Sequence, residues 1–357
     1  MKINNRIKGI SMFSSGGVAE TYLEEIGIDI LLANELVKER ADFYKHLYPN
    51  SNMITGDILD KDVFNEFVNE AKKIKPSFLI ATPPCQGMSS LGKKDYEIDE
   101  RNLLIFSVIE IIQEIDFDFI LIENVPKFFK LFFPFKDKLI GIVEILEELF
   151  SDKFIIESYI LNAKDYGVPQ SRPRAIIKLY KKNKKWGVPN KKPEITLRQA
   201  IGHLPSLMPE QKSNYKFHYA MKHSHMQVEA MTYTPEGKSA MLNEVYFPKK
   251  ANGEKVKGFH NTYKRMKWDS PSPARATNNG LISGHNNVHP GRIKTDGTWS
   301  DARVLSLLEL FIVSSLPENW NIPINYKESL VRLLIGEAIP PLMLKEILLK
   351  INQDTNE

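Results

Sequence analysis

The chain's single cysteine, Cys85, stands where its thiol would be presented for reaction. The apolar run 78–81 predicts a buried strand, and Pro83 and Pro84 end that strand and stiffen the backbone just before the cysteine. A loop containing glycine and serine, QGMSS, follows it. A lone cysteine forms no internal disulfide and no thiolate zinc cluster, so a small buried apolar side chain is the alternative. A strand end followed by such a loop favours a nucleophile.

An acid and two arginines further along the chain occupy similar positions. Glu123 ends the apolar run 117–122, and a carboxylate there is expected to have a raised pKa, which suits sharing a proton at neutral pH. Arg172 and Arg174 flank a proline in an extended segment, so both side chains are expected to point the same way. Paired guanidinium groups bind phosphate or stabilise an anionic ring oxygen. A surface acid and a solvated arginine pair are the alternatives.

Three repeats of a strand, a turn and a helix precede Cys85 and would bring further side chains to one sheet edge. In the first repeat, small residues at 14–17 lead from an apolar strand into a helix predicted at 18–26. The second strand ends beside Glu35, which would also fit an exposed first helix turn, and the third ends beside Asp57. Such strand ends converge on one ligand at the carboxyl edge of a parallel sheet. The repeats predict an α/β fold with a doubly wound, mostly parallel sheet.

Apolar spacing and breaker residues predict the remaining elements. The segment 89–101 is polar and contains glycine, which predicts a flap. Helices are predicted at 61–74, 102–114, 137–150 and 301–315, strands at 154–161 and 175–180, and a helical return at 326–350.

Charge is distributed unevenly along the chain. Residues 180–268 contain 18 Lys and Arg against 6 Asp and Glu, although the net charge of the whole chain is only +4. This asymmetry indicates a polyanionic partner for the basic segment, and a solvated lysine-rich face is the alternative. The sequence has no N-terminal charged-then-apolar signal and no apolar run of membrane-spanning length, which predicts an intracellular protein with no membrane partner.

Together these residues resemble the DNA cytosine-5 methyltransferase family in its stand-alone restriction-modification form. An ordered set of motifs carries the resemblance, and such a set is far more specific than any one motif. The motifs are Phe13 to Gly17, Glu35, Asp57, Pro84-Cys85-Gln86, Glu123-Asn124-Val125, Gln170-x-Arg172-x-Arg174, His289-Pro290, Arg303-x-Leu305 with Glu309, Leu316-Pro317 and residues 336–341. Ser15 and Val18 depart from the family pattern by standing in glycine places, and Glu337 stands in an asparagine place.

The resemblance implies a class I S-adenosylmethionine-dependent methyltransferase fold with a smaller target-recognition domain, and DNA (cytosine-5-)-methyltransferase activity. Cys85 would add to carbon 6 of a cytosine turned out of the duplex, which makes carbon 5 reactive toward the methyl group of S-adenosylmethionine. Glu123 would protonate or hydrogen-bond ring nitrogen 3. Arg174, with Arg172, would bind the exocyclic oxygen and favour the thiolate.

The resemblance also assigns cofactor contacts, DNA contacts and domain bounds. The implied S-adenosylmethionine contacts are Phe13, Gly16, Gly17, Glu35, Asp57, Ile58, Pro84 and Ala338. The expected DNA contacts are Gln86, Ser89, Gln170, Lys181 and Lys182, and no metal site is expected. The expected domains are 1–179 for catalysis, 180–325 for target recognition and 326–357 for a helical return that completes the catalytic domain.

The expected partners are double-stranded DNA and a companion restriction endonuclease, for a monomer in the cytoplasm of a prokaryote, associated with the nucleoid. A transfer-RNA cytosine-5 methyltransferase is the nearest alternative, but that subfamily typically carries a further Cys-Phe-Thr signature, and this chain has one cysteine. An amino-group methyltransferase needs Asp or Asn where this chain has Thr82. Intact Cys85 and Glu123 disfavour a DNA-binding protein without catalysis. The glycine turn does not suit the pyrophosphate of a nicotinamide dehydrogenase.

Overall fold

The structure is a computed structural model that describes residues 6–84, 103–250 and 252–352. The chain divides into two compact units. Unit 1 comprises Met1–Asn162, Pro173–Lys191 and Met343–Glu357, and unit 2 comprises Ala163–Arg172 and Lys192–Leu342. The predicted nucleophile Cys85, the predicted DNA contacts Gln86 and Ser89, and the predicted flap at 89–101 lie outside the described residues.

A seven-stranded sheet, counted over the described residues, forms the centre of unit 1. Its strands lie in the order β3-β2-β1-β4-β5-β10-β8, and the pairs from β3 to β5 are all parallel, whereas β10 is antiparallel to both of its neighbours. The strands are β1 (Ile7–Met12), β2 (Ile28–Glu35), β3 (Asn52–Thr55), β4 (Phe78–Ala81), β5 (Phe119–Asn124), β6 (Phe132–Phe135), β7 (Lys138–Gly141), β8 (Phe154–Asn162), β9 (Gln170–Ser171), β10 (Pro173–Lys181), β11 (Lys185–Trp186), β12 (Ser272–Pro273) and β13 (Ile351–Asn352). The predicted α/β class with a mostly parallel sheet is confirmed.

Helices cover both faces of this sheet. The apolar core on one face contains side chains of α3, α4 and α5, and a smaller cluster on the other face contains side chains of α2. The helices are α1 (Leu23–Ile26), α2 (Lys38–Leu47), α3 (Lys61–Ile74), α4 (Leu104–Glu114), α5 (Ile142–Phe150), α6 (Leu197–Ile201), α7 (His225–Thr232), α8 (Leu307–Val313), α9 (Glu328–Glu337) and α10 (Pro341–Leu348), with 3-10 turns at Val18–Glu20, Pro126–Lys130, Ala163–Tyr166 and Ala240–Leu242. The strand order reverses between β1 and β4, and ligands of open α/β sheets bind at that switch point, outside the carboxyl ends of the strands.

Three predicted helices are wrong in part. The first, predicted at 18–26, is a 3-10 turn at Val18–Glu20 followed by the short α1. The helix predicted at 137–150 begins at Ile142, because residues 132–141 form the β6–β7 hairpin, whose tight turn includes Lys136 at a φ of 50°. The helix predicted at 301–315 begins only after Ser306, whose hydroxyl accepts a hydrogen bond from the amide of Glu309. The spacing of apolar residues contains no signal for a hairpin turn or for a helix cap.

The described part of the chain contains no helix that is both long enough and apolar enough to cross a membrane.

Candidate active site

The turn after β1 is held in a constrained conformation at the switch point. Phe13, Ser15 and Gly17 have φ values of 59°, 49° and 75°, which lie in the left-handed region that residues other than glycine rarely adopt. The amide and the hydroxyl of Ser14 both donate to the carbonyl of Asn34, at 3.0 and 3.1 Å. Such backbone strain persists only where the surroundings impose it, and it clusters at ligand sites.

Glu35 joins the end of β2 to this turn. One carboxylate oxygen accepts the amide of Ser15 at 2.9 Å, and the other accepts the amide of Val37 at 2.8 Å. A carboxylate has about four acceptor positions, so each oxygen retains capacity for a ligand hydroxyl. The amide of Ser15 is thus used by Glu35, and the amide of Gly17 donates to the carbonyl of Ser14 within the turn. The turn therefore does not offer these amides to a phosphate.

The end of β3 completes the same edge. The side-chain amide of Asn34 donates to the carbonyls of Ile54 and Gly56, both at 3.1 Å, which ties β2 to the segment that carries Asp57 and Ile58. Asp57 is exposed and Ile58 is buried. The carboxylates of Glu35 and Asp57 can accept hydrogen bonds from hydroxyl or amino groups, and apolar side chains lie beside them. The amides of the turn are already occupied. This combination fits a nucleoside without phosphate, such as S-adenosylmethionine.

The chain reaches Cys85 from a firmly anchored strand end. After β4, the hydroxyl of Thr82 donates to the carbonyl of Phe13 at 3.0 Å, and the side-chain amide of Asn124 donates to the carbonyl of Pro83 at 3.1 Å. The residues before the cysteine are thus fixed to the ends of β1 and β5, on either side of β4.

Glu123 and Arg174 form an ion pair at the carboxyl end of β5. The Arg174 Nε lies 2.7 Å from Glu123 Oε1, and each side chain is only 9% exposed. In the antiparallel register, Ile176 of β10 lies opposite Glu123. Arg174 therefore lies beyond the last residue of β5, and its side chain turns back to contact the Glu123 carboxylate. Two residues predicted from separate motifs are therefore in contact. Paired in this way, the two groups form a small polar centre at the same sheet edge as the switch point.

Arg172 and Gln170 lie in unit 2, where their polar atoms bind protein groups. Arg172 donates to the carbonyl of Arg275 at 2.6 Å and to that of Gly336 at 2.7 Å. Gln170 is 1% exposed, its Nε2 donates to the carbonyl of Val313 at 3.1 Å, and its Oε1 accepts the amide of Arg275. Ala338, the predicted cofactor contact in this unit, is the C-cap of α9.

Lys181 and Lys182 lie at the opposite edge of the sheet from Glu123. Since β10 runs antiparallel to β5, its last residue, Lys181, lies beside the start of β5, and its ammonium group is 2.9 Å from carboxylate oxygens of both Asp116 and Asp118. The seven steps along the strand from Arg174 to Lys181 span about 23 Å. The structure does not bring these two lysines to the predicted active site.

Unit 2 contains a buried charge network, defined here as Arg265, His289, Asp301, Arg303 and Glu309, and sequence reasoning missed two of its five members. Arg303 lies 2.7 Å from Asp301 and 2.6 Å from Glu309, and all three are fully buried. Burial would raise the pKa of Glu309, but Arg303 and His289 outweigh it and lower the pKa to about 2. The motif resemblance identified three members, whereas Arg265 and Asp301 carried no recognisable signal.

Two buried histidines of this unit, His218 and His289, contact other protein groups. Burial lowers the pKa of His289 to about 4, and its Nδ1 accepts the amide of Gly291 at 3.0 Å. The ring nitrogens of His218 lie 2.9 Å from the Ser306 hydroxyl and from the Pro205 carbonyl. Over residues 6–84, 103–250 and 252–352, no group of three or more His, Cys, Asp or Glu side chains is arranged to hold a metal ion.

Comparison with known proteins identifies the family of this chain. The sequence profile of C-5 cytosine-specific DNA methylases matches residues 7–353. The chain is 49% identical over 349 residues to the Type II methyltransferase M1.HgaI of Avibacterium volantium, covering 97% of this chain and 98% of that one. It is 26% identical to the Type II methyltransferase M1.HphI of Haemophilus parahaemolyticus, over 98% of this chain and 87% of the other.

Solved structures show the same fold at low sequence identity. A prophage-encoded protein of E. coli that is described as a DNA modification methyltransferase superposes with a TM-score of 0.68 at 17% identity, covering 96% of this chain and 98% of that chain. The DNMT2 protein of Spodoptera frugiperda gives a TM-score of 0.62 at 17% identity, with the same coverage. At such identity the likeness concerns the fold alone.

Proposed function

Because this chain belongs to the C-5 cytosine-specific DNA methylase family, we propose that it methylates carbon 5 of a cytosine within a specific duplex DNA sequence, as the methylase of a type II restriction-modification system. The observation that carries the proposal is the Glu123–Arg174 pair beside the anchored residues that lead to Cys85. The family match does not favour the transfer-RNA alternative.

The pair suits activation of a pyrimidine ring. Cytosine carbon 5 is a weak nucleophile, so the Cys85 thiolate first adds to carbon 6 and leaves an electron-rich bond at carbon 5. Glu123 holds or donates a proton at ring nitrogen 3, and Arg174 donates to the exocyclic oxygen, where negative charge develops. After carbon 5 gains its methyl group, a base removes the carbon-5 proton, the electrons of that bond re-form the double bond between carbons 5 and 6, and Cys85 leaves carbon 6 as a thiolate. The cytosine must leave the base stack for these groups to reach it.

S-adenosylmethionine, when bound, supplies a methyl group on a cationic sulfur. We propose that Glu35 binds its ribose hydroxyls with the acceptor capacity left on each oxygen, and that Asp57 and Ile58 contact its adenine. Phe13 contributes an apolar ring from within the strained turn. Roles for Gly16, Pro84 and Ala338 remain proposals from the family pattern.

Arg172 and Gln170 act through the protein, in our proposal. They contact main-chain groups and Ser314 within unit 2, so we assign them to holding the segments around Arg275 and Gly336 in place. This assignment replaces the direct catalytic role expected for Arg172 and the DNA contact expected for Gln170.

DNA recognition is proposed for unit 2 and not for Lys181. The surface of unit 2 exposes Phe259 at 71%, and Tyr233 stacks on Tyr246 with ring centroids 3.6 Å apart. Exposed aromatic side chains can contact bases, and the lysines of unit 2 can contact phosphates. Lys181 is neutralised by two carboxylates, and we therefore propose no phosphate contact for it.

Methyl transfer from labelled S-adenosylmethionine tests the substrate. We expect label to enter unmethylated duplex DNA and not transfer RNA, and bisulfite sequencing of the product would locate the modified cytosine. Transfer only to RNA would contradict the proposal. Analytical sedimentation with and without duplex DNA measures the molecular mass in solution and tests the proposed monomer. A gene for a sequence-specific nuclease next to this gene would support a companion endonuclease in the same cytoplasm.

Replacing the catalytic acid tests the ion pair. Glu123→Gln keeps the side-chain shape but removes the proton and the negative charge that orients Arg174, so kcat is expected to fall about 100-fold. Affinity for duplex DNA, measured by fluorescence anisotropy, should change less than about threefold.

Glu157→Gln is the matched control. Glu157 on β8 pairs with Lys178 at 2.7 Å in the same sheet, and its replacement is expected to leave kcat within about twofold of the wild type. Equal losses of kcat in the two variants would show that Glu123 has no special part in the reaction.

A further inference from the structure

A second layer of contacts lies behind the turn at 13–17, on the face of the sheet covered by α2. The hydroxyl of Tyr48, just beyond α2, donates to the carbonyl of Gly17 at 2.7 Å. One helical turn earlier, the hydroxyl of Tyr44 donates to the carboxylate of Glu20, three residues after Gly17. The two tyrosine rings lie 4.8 Å apart. The turn is thus held from behind by two adjacent tyrosines.

These tyrosines explain why position 17 is glycine. A Cβ atom at Gly17 would lie 2.3 Å from a ring carbon of Tyr48 and 2.9 Å from one of Tyr44, and Gly17 has a φ of 75°. Side chains do not tolerate contacts that short. The rings of Tyr44 and Tyr48 therefore require glycine at this position, whether or not a ligand also approaches from the other side of the turn.

Glu20 is an unusual residue for this location. It is 4% exposed, and the groups that face it are hydroxyls and acids: Tyr44, Ser11 of β1, and, around a cavity of about 110 Å³, Ser51, Glu24 and Asp29, with Tyr48 beside them. Burial raises the pKa of Glu20 to about 7, against the lowering by hydrogen bonds from Ser11 and Tyr44. Its charge is thus free to change near neutral pH.

We propose that Glu20, Tyr44 and Tyr48 are positioning residues that hold the strained turn at 13–17 in the conformation that binds the methyl donor. Their hydrogen bonds reach the turn at the carbonyl of Gly17 and at the acid that follows it. Without these hydrogen bonds, fewer contacts maintain the left-handed conformation at Ser15 and Gly17. The hydrogen bond from the amide of Ser15 to the Glu35 carboxylate is then lost. This inference rests on the proposed function.

The positioning residues also give donor binding a pH dependence. S-adenosylmethionine carries cationic groups, and a cation bound at the turn favours the ionised form of Glu20. Binding then lowers the pKa of Glu20 from its value of about 7, so affinity rises as pH increases through neutrality. Glu20→Gln, which cannot ionise, should lose this dependence.

Calorimetric titration at pH 6 to 8.5 tests the inference on the full-length protein. Tyr48→Phe, which keeps the ring but loses the hydrogen bond to Gly17, should bind S-adenosylmethionine and S-adenosylhomocysteine about fivefold more weakly. Its KM for duplex DNA should not change. The wild type should bind S-adenosylmethionine about fivefold more tightly at pH 8 than at pH 6, and Glu20→Gln should bind equally at both. Tyr159→Phe, on β8, is the matched control and should behave as the wild type.

Unchanged donor affinity in both variants, with only a lower melting temperature, would reduce these residues to a structural role and overturn the inference. A flat wild-type pH profile would overturn it as well, and that measurement needs no variant. A wild-type protein that binds neither cofactor form would instead refute the proposed function.

Discussion

Replacing Cys85 by serine is expected to lower the rate of methyl transfer to duplex DNA by about 10⁴-fold or more. A serine hydroxyl is far less ionised than a thiol at neutral pH and is a much poorer nucleophile toward carbon 6, so the ring stays unreactive. DNA binding and donor binding should persist, because Cys85 enters neither proposed set of contacts. Single-turnover methyl transfer and fluorescence anisotropy measure the two effects separately.

The single cysteine of the chain provides an independent control. Alkylation of the wild type should inactivate it with a stoichiometry of one, whereas Cys85→Ser should take up no reagent. Methyl transfer by the serine variant within about tenfold of the wild-type rate would exclude nucleophilic catalysis by this residue.

Replacing Arg303 by methionine is expected to destabilise unit 2 by about 3–5 kcal/mol. The guanidinium of Arg303 is the partner of both Asp301 and Glu309, and its removal leaves two buried carboxylates without their closest cation. Burying an unpaired charge costs far more than the pair contributes. Urea unfolding followed by tryptophan fluorescence measures the loss, since Trp268 packs edge-on against His289 in the same network.

Arg198→Met is the matched control in the same unit. Arg198 pairs with Asp269 at 2.7 Å, but both side chains are more than half exposed. Exposed pairs contribute little, so this variant should lose at most about 1 kcal/mol. Similar losses of unfolding free energy in the two variants would show that the buried network contributes no more to stability than an exposed ion pair.

Sequence reasoning succeeded where the physical signal is local. The helix over Lys61–Ile74 and the strand over Phe78–Ala81 have the bounds that apolar spacing and breaker residues predict. The strand ends that carry Glu35 and Glu123 were also found, because a polar residue that closes an apolar run is visible in the sequence. These features depend on neighbours within a few residues.

Features that depend on distant pairing were not predicted. Arg172 contacts Gly336, 164 positions away in the sequence, and Tyr48 contacts Gly17, 31 positions away. Neither contact produces a periodic pattern in the sequence. The direction of β10 was equally hidden: an antiparallel strand brings Arg174 to the polar centre and carries Lys181 to the other sheet edge. Charge counting identified a basic segment but could not tell which lysines carboxylates already neutralise.

Capture of Cys85 on a duplex with 5-fluorocytosine at the target position is the most direct test of the proposed chemistry. Fluorine at carbon 5 cannot leave as a proton does, so the bond between sulfur and carbon 6 should persist after methyl transfer. The expected result is a protein–DNA adduct that resists denaturation, requires S-adenosylmethionine and is absent with Cys85→Ser. Absence of an adduct under conditions in which the unmodified duplex is methylated would contradict a covalent role for Cys85.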